Sequence, residues 1–176
     1  AHAARQQAIW SARGHDLQVS VNLSARQLAH PDLLADIARA IHGSGGNPQR
    51  LEVEITESML LGHDRHLQDL LWSIEQMGIS IALDDFGTGY SNLAYLQRFP
   101  IKTLKIDKAF IQSKLADQPL TEVIVSMCKL MKFKAVAEGV ETAEQLQWVM
   151  AHDIEQYQGY LFARALPVAA FDLLLQ

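Results

Sequence analysis

Residues 82–93 read ALDDFGTGYSNL: an apolar run ends in two adjacent acids, and a glycine-threonine-glycine turn follows. Successive residues of a strand point to opposite faces, so Asp84 and Asp85 cannot both serve one face while the chain stays extended. An apolar strand that ends in acids and leaves through glycines has the pattern of a strand's carboxyl end in an α/β protein, where such folds keep their chemistry. On this reading Asp84 closes the strand and Asp85 already lies in the turn. Gly87 and Gly89 then supply the backbone freedom for the bend.

Outward from this point, β-rich runs alternate with helical ones, the signature of parallel strands linked by helices. Six strands are predicted: LQVSVNLS (17–24), LEVEIT (51–56), SIALDD (80–85), TLKID (103–107), KAVAEGV (134–140) and YQGYLFA (157–163). Helix ends are marked by Pro31, by Gly78 and by Thr142. Six strand-helix units fit either an open doubly wound sheet or most of an eight-fold barrel. A complete barrel takes about 250 residues, so a chain of 176 is short by roughly two units. No linker, repeat or low-complexity tract divides the chain. Its Ala-His-Ala-Ala start reads as part of something longer.

A hydrophobic content of 49% fills a sizeable core. The net charge of -5 argues against a DNA or RNA polymer or an anionic membrane as main partner, since both recruit an excess of Lys and Arg. A lone cysteine, Cys128, makes no internal disulfide, and a reducing, cytoplasmic setting fits it. No apolar run approaches the roughly 18 to 20 residues that span a bilayer, so no membrane contact is expected of this segment.

The predicted strands carry Asn22, Glu54, Asp84 with Asp85, Lys105, Glu138 and Gln158, mostly near their carboxyl ends; Gln158 falls early in its run. In LEVEIT the period of two sets Glu52, Glu54 and Thr56 on one face against Val53 and Ile55. Carboxylates gathered on an inner face need a compensating cation, and one lysine is too few. Hard oxygen donors without Cys or His favour Mg2+ or Mn2+, with Ca2+ competing, over structural zinc. Two such ions about 3.5 to 4 Å apart suit phosphodiester hydrolysis.

Other features carry less. His63 and His66 have ligand spacing but sit at a helix entrance. Ser24 has no histidine partner for acyl transfer. The DFG of residues 85–87 lacks the companion segments of a kinase. Trp72, Met77, Met127, Met131, Trp148 and Met150 fall in helical patterns and are expected in the core, while Glu122 and Lys129 are expected on solvated helix faces.

VNLSARQL, EITES, ALDDFGTGYSNLAYL, LKIDKAF, AVAEGVET and QGYLFARALP resemble, in order, the EAL-type phosphodiesterases that hydrolyse cyclic di-GMP, over about residues 17–167. The resemblance implies a TIM-like (β/α) barrel of the α/β class, with about six of its eight strands here, and one EAL domain over residues 1–176 without its first strands. It implies hydrolysis of cyclic di-GMP to linear pGpG at a two-metal Mg2+ or Mn2+ site, with Ca2+ inhibitory. Asn22, Glu54 and Asp84 would hold the first metal, Asp84 would bridge, and Asp85 and Glu138 would complete the second. Glu138 would also handle the proton of the attacking water, Lys105 would contact the water or the scissile phosphate, Gln158 would position water or ligand, and Glu141 would support the site. Glu57 would steady the loop of Gly87, Thr88 and Gly89, which in that family couples dimerisation to metal binding. A homodimer and sensor or GGDEF-type domains in the parent chain are implied as partners.

Three departures accompany the match. The Glu-Ala-Leu motif and its arginine do not occur in these 176 residues, so weak or absent turnover is expected of this segment alone. Ala165 stands where the family has proline, and the stretch between Lys105 and Glu138 is a few residues short. The alternative reading is a non-catalytic cyclic di-GMP receptor or regulatory scaffold.

Overall fold

The computed structural model describes residues 1–60, 65–87, 96–112 and 118–175. The chain divides into two compact units, Ala1–Thr103 and Leu104–Gln176.

In the first unit helix α1 (His2–Ala12) precedes β1 (Val19–Asn22), α2 (Ala25–Leu28), α3 (Leu33–Ser44), β2 (Leu51–Thr56), α4 (Glu57–Leu60), α5 (Arg65–Gln76) and β3 (Ser80–Phe86). β1 pairs with β2 and β2 with β3, both in parallel. Val21, Val53 and Ile81 align across the three strands, with Ile55 beside Leu83, and they make one apolar face. The helices that cover such a sheet bury stripes at helical spacing, as α5 does with Leu70, Leu71 and Ile74. Local signals set the helix ends. Ser24 forms a capping box with Gln27 at α2, and Gly45, in the left-handed region at φ 68°, terminates α3.

The second unit takes up β4 (Thr103–Ile106) after its first residue. It continues through α6 (Lys108–Ile111), α7 (Gln118–Met131), β5 (Lys134–Ala137), α8 (Ala143–Ala151), β6 (Gln156–Tyr157) and α9 (Val168–Leu174). β5 and β6 are parallel, Val136 with Gln156 and Ala137 with Tyr157. Leu104, Ile106, Cys128, Ala137, Val140 and Val149 are buried. Thr142 opens α8 with a capping box to Gln145.

Four strands are shorter than their sequence runs, β4 by Asp107 alone, which caps α6. β1 ends at Asn22 because Ser24 is committed to capping α2. β5 ends at Ala137, and Gly139 takes a φ of 68°. β6 stops at Tyr157 instead of continuing to residue 163, because the chain turns over Gly159: Phe162 and Ala163 both donate to the Gly159 carbonyl. A Cβ at Gly159 would lie 2.1 Å from the Val140 carbonyl oxygen, so only glycine allows that approach. Trp72 and Met150, expected in the core, are 43% and 67% exposed. The Trp72 indole N–H instead reaches the Arg98 carbonyl at 3.3 Å.

Candidate functional site

In the first unit Asn22 aligns with Glu54, and Thr56 aligns with Asp84. Partners in parallel register share a face, and alternation returns to that face every second residue. Asn22, Glu54, Thr56 and Asp84 therefore stand on one side of the three strands, at their carboxyl ends. Glu54 is buried, and its carbonyl accepts the Leu23 N–H at 2.9 Å, which extends the β1–β2 ladder by one bond. Two residues toward the amino end on the same face, the Glu52 carboxylate accepts the Ser20 hydroxyl at 3.0 Å and the Thr103 hydroxyl at 2.7 Å.

The paired aspartates solve their orientation problem at an unexpected residue. Pairing carries β3 through Asp85 to Phe86, but Asp85 itself takes a φ of 54°. This left-handed conformation, rare outside glycine, is tolerated best by Asn and Asp. The Asp84 Oδ1 accepts the Asp85 N–H at 3.1 Å and supports the bend. Gly87 is also left-handed, at φ 98°; its N–H donates to Oε2 of buried Glu57 at 3.2 Å. Thr88 and Gly89, named with Gly87 as the loop, lie outside the described residues.

The second unit carries a separate group. Lys105, inside β4, places its Nζ 2.7 Å from Oε1 of Glu138. Glu138 directly follows β5, and its N–H donates to Ile106 at 3.1 Å. Gln158 directly follows β6, so the shortening of that strand puts this residue beyond a carboxyl end, like the others. Its N–H donates to Ala137 at 2.8 Å and its carbonyl accepts the Val140 N–H at 3.1 Å. With its backbone tied at both ends, Gln158 directs Nε2 to Oε1 of Glu138 at 2.6 Å. Glu141 is exposed at the entry to α8, where its backbone N–H donates to Gln145 at 2.7 Å. Among the described residues its side chain does not join the Lys105, Glu138 and Gln158 group.

The discounted residues lie elsewhere. His66 is exposed in the first turn of α5 and His63 is outside the described residues. Cys128 is buried, and desolvation pushes its thiol up to about 12, which leaves it protonated and unreactive. Lys129 pairs with Asp153 at 2.9 Å and holds that carboxyl below its ordinary range. The residues that sequence reasoning missed are Ser20 and Thr103. Glu52 was placed on the Glu54 face by its period, but nothing local pointed to a hydroxyl 51 positions away.

Chemically, Asn22, Glu54 and Asp84 are hard oxygen donors on one face, with the Asp85 carboxylate beside them in sequence and the Glu138 carboxylate in the second unit. Such a set fits Mg2+ or Mn2+ and offers no soft ligand for zinc or copper. No helix of the described residues is long and apolar enough to cross a membrane.

Comparison with known proteins agrees with this chemistry. The family model described as EAL domain matches residues 1–165. The cyclic di-GMP phosphodiesterase NbdA of Pseudomonas aeruginosa is 40% identical over 167 residues, which are 93% of this chain and 21% of that protein. The chain spans about a fifth to a quarter of the length of the curated relatives it matches. Among solved structures, the PaMucR phosphodiesterase in complex with c-di-GMP superposes with a TM-score of 0.92 at 36% identity, over 97% of this chain and 70% of that one. A manganese/cy-diGMP complex of Klebsiella pneumoniae BlrP1 superposes with a TM-score of 0.81 at 28% identity, over 93% of this chain and 43% of that one. The fold is accordingly α/β, with six strands of a TIM-like (β/α) barrel. The chain belongs to the EAL domain family.

Proposed function

We propose that this chain is part of the catalytic domain of a cyclic di-GMP phosphodiesterase, which opens the cyclic dinucleotide to linear pGpG with Mg2+ or Mn2+. The observation that carries the reading is the shared face of Asn22, Glu54 and Asp84 at the carboxyl ends of three adjacent strands. The relatives named as phosphodiesterases and the cyclic-di-GMP-bound relatives support it.

Asn22, Glu54, Asp84, Asp85 and Glu138 would hold the metal. A bound divalent cation supplies Lewis-acid activation of water and neutralises charge on the phosphodiester. The chain's own groups do the rest. Glu138 takes the proton of the attacking water, its carboxylate oriented by Gln158 and held by Lys105. The Lys105 ammonium offsets charge that develops on the phosphoryl oxygens. Glu57 fixes the chain at Gly87, next to the aspartates. Glu141 acts only by supporting the segment that follows Glu138. The protein works as a homodimer, with sensor or GGDEF-type domains elsewhere in the parent chain.

The test is hydrolysis of cyclic di-GMP by the full-length protein and by Asp84→Asn, with Mg2+, Mn2+ or Ca2+, read by chromatography. Turnover with Mg2+ or Mn2+, inhibition by Ca2+ and loss in the variant are expected. Tight nucleotide binding without turnover in the wild type would replace this reading with that of a receptor.

A further inference from the structure

Glu52 is a buried carboxylate that the proposed chemistry does not use. Among the described residues its hydrogen-bond donors are two neutral hydroxyls, Ser20 on β1 and Thr103 at the start of β4. Burying a carboxylate is costly, and hydroxyl donors offset that cost only in part. The placement of those hydroxyls explains why it is there.

Within the first unit, Thr103 lies on the far side of β3 from β2. Lys102, next to Thr103, donates its N–H to Ile81 of β3 at 2.9 Å, and Ile81 aligns with Val53 of β2. In a flat sheet a residue across β3 from β2 would stand roughly 9.6 Å away, two strand spacings. The Glu52 side chain nevertheless reaches Thr103 directly, past β3, while its other oxygen holds β1. One carboxylate thus ties the flanking strands across the side of the sheet that carries Asn22, Glu54 and Asp84. The tie sits two residues below Glu54, at the depth where bending the sheet brings the strand ends together.

We propose that Glu52 is a positioning residue: by clamping Ser20 and Thr103 it sets the curvature that brings Asn22, Glu54 and Asp84 within reach of one cation. The proposal rests on the reading that these three residues hold metal. A Mg2+ ion accepts oxygen ligands only near about 2.1 Å, so a sheet that relaxes toward flatness loses affinity before it loses its fold.

The experiment titrates Mn2+ into the full-length protein by calorimetry, without nucleotide, for the wild type, Thr103→Val, Thr103→Ser and Ser20→Ala, with circular-dichroism melts of each. Thr103→Val keeps the side-chain shape and removes the hydroxyl, whereas Thr103→Ser keeps the hydroxyl. We expect Thr103→Val and Ser20→Ala to weaken Mn2+ binding roughly tenfold and Thr103→Ser to stay within about twofold of wild type, the size of effect that supporting partners of metal ligands have. A Thr103→Val protein that melts lower but binds Mn2+ as the wild type does would overturn the proposal and leave Glu52 a purely structural residue. A wild type that takes up no Mn2+ would overturn the metal reading and this proposal with it. Mn2+ uptake without hydrolysis would remove only the enzymatic reading, and the variants would still decide the role of Glu52.

Discussion

Lys105 and Glu138 form an ion pair of 2.7 Å in which the lysine side chain is 8% exposed and the glutamate side chain 14%. Gln158 donates to the same oxygen at 2.6 Å. Two donors on Oε1 fix the plane of the carboxylate and with it the direction of Oε2. A cation held this way can serve the carboxylate at rest and a phosphoryl oxygen during reaction.

Replacing Lys105 by methionine keeps the length of the side chain and removes the charge. Turnover of cyclic di-GMP by the full-length protein should fall about 100- to 1000-fold, as when a single electrostatic donor is lost. Unfolding in urea should show a loss of about 3 kcal/mol, since the largely buried ion pair is broken and Glu138 keeps its charge. Unchanged turnover would take Lys105 out of the chemistry.

Asp85 combines a carboxylate with a left-handed backbone, and two substitutions separate these. Asp85→Asn tolerates a φ of 54° and should melt as the wild type does while turnover is lost. Asp85→Val should lose turnover and also about 1 to 2 kcal/mol of stability, the cost of that conformation for a residue with a full Cβ. Equal melting temperatures for the two variants would show that the bend carries no strain.

Buried Glu57 accepts the N–H of half-buried Gly87. Glu57→Ala should lower the free energy of unfolding by about 1 to 3 kcal/mol, the penalty for orphaned buried groups. Glu57→Gln retains an oxygen acceptor and should lose less. Hydrolysis measured on the same proteins should fall in the same order.

Cys128 gives the chain a pH dependence with a definite sign. The buried thiol holds its proton up to about 12, whereas an exposed thiol releases it near 9.0. Between those values the folded state binds the extra proton, so unfolding becomes easier as pH rises. Stability from this group is intact below pH 9 and declines above it. Alkylation at pH 8.5 should be slow in native buffer and fast in urea; rapid native labelling would mean that the thiol is exposed.

Much of this was legible in the sequence because its causes are local. Alternation in LEVEIT sets Glu52 and Glu54 on one face, and capping residues such as Ser24 and Thr142 mark helix starts. What escaped depends on residues that meet from a distance. The turn at Gly159 is forced by the Val140 backbone 19 positions earlier, and it ends β6 before residues that themselves suit a strand. The bend at Asp85 was assigned to the glycines after it, since a left-handed aspartate leaves no mark in sequence. The clamp on Glu52 needs β4 in place before Thr103 has any significance. At the site, the residues at strand ends were visible through their type, whereas the link from Gln158 to Glu138 appears only once β6 is seen to stop at Tyr157.

The clamp also orders events during synthesis. Thr103 follows Glu52 by 51 residues, so a ribosome adding about 5 to 20 residues per second makes it roughly 3 to 10 s later. Until then β1, β2 and β3 can pair, but the Glu52 carboxylate has only Ser20 to hold it and remains in water. The nascent first unit is therefore a three-stranded parallel sheet whose Glu52 is tied to β1 alone. The hold on Glu52 is complete only once Thr103 has been made.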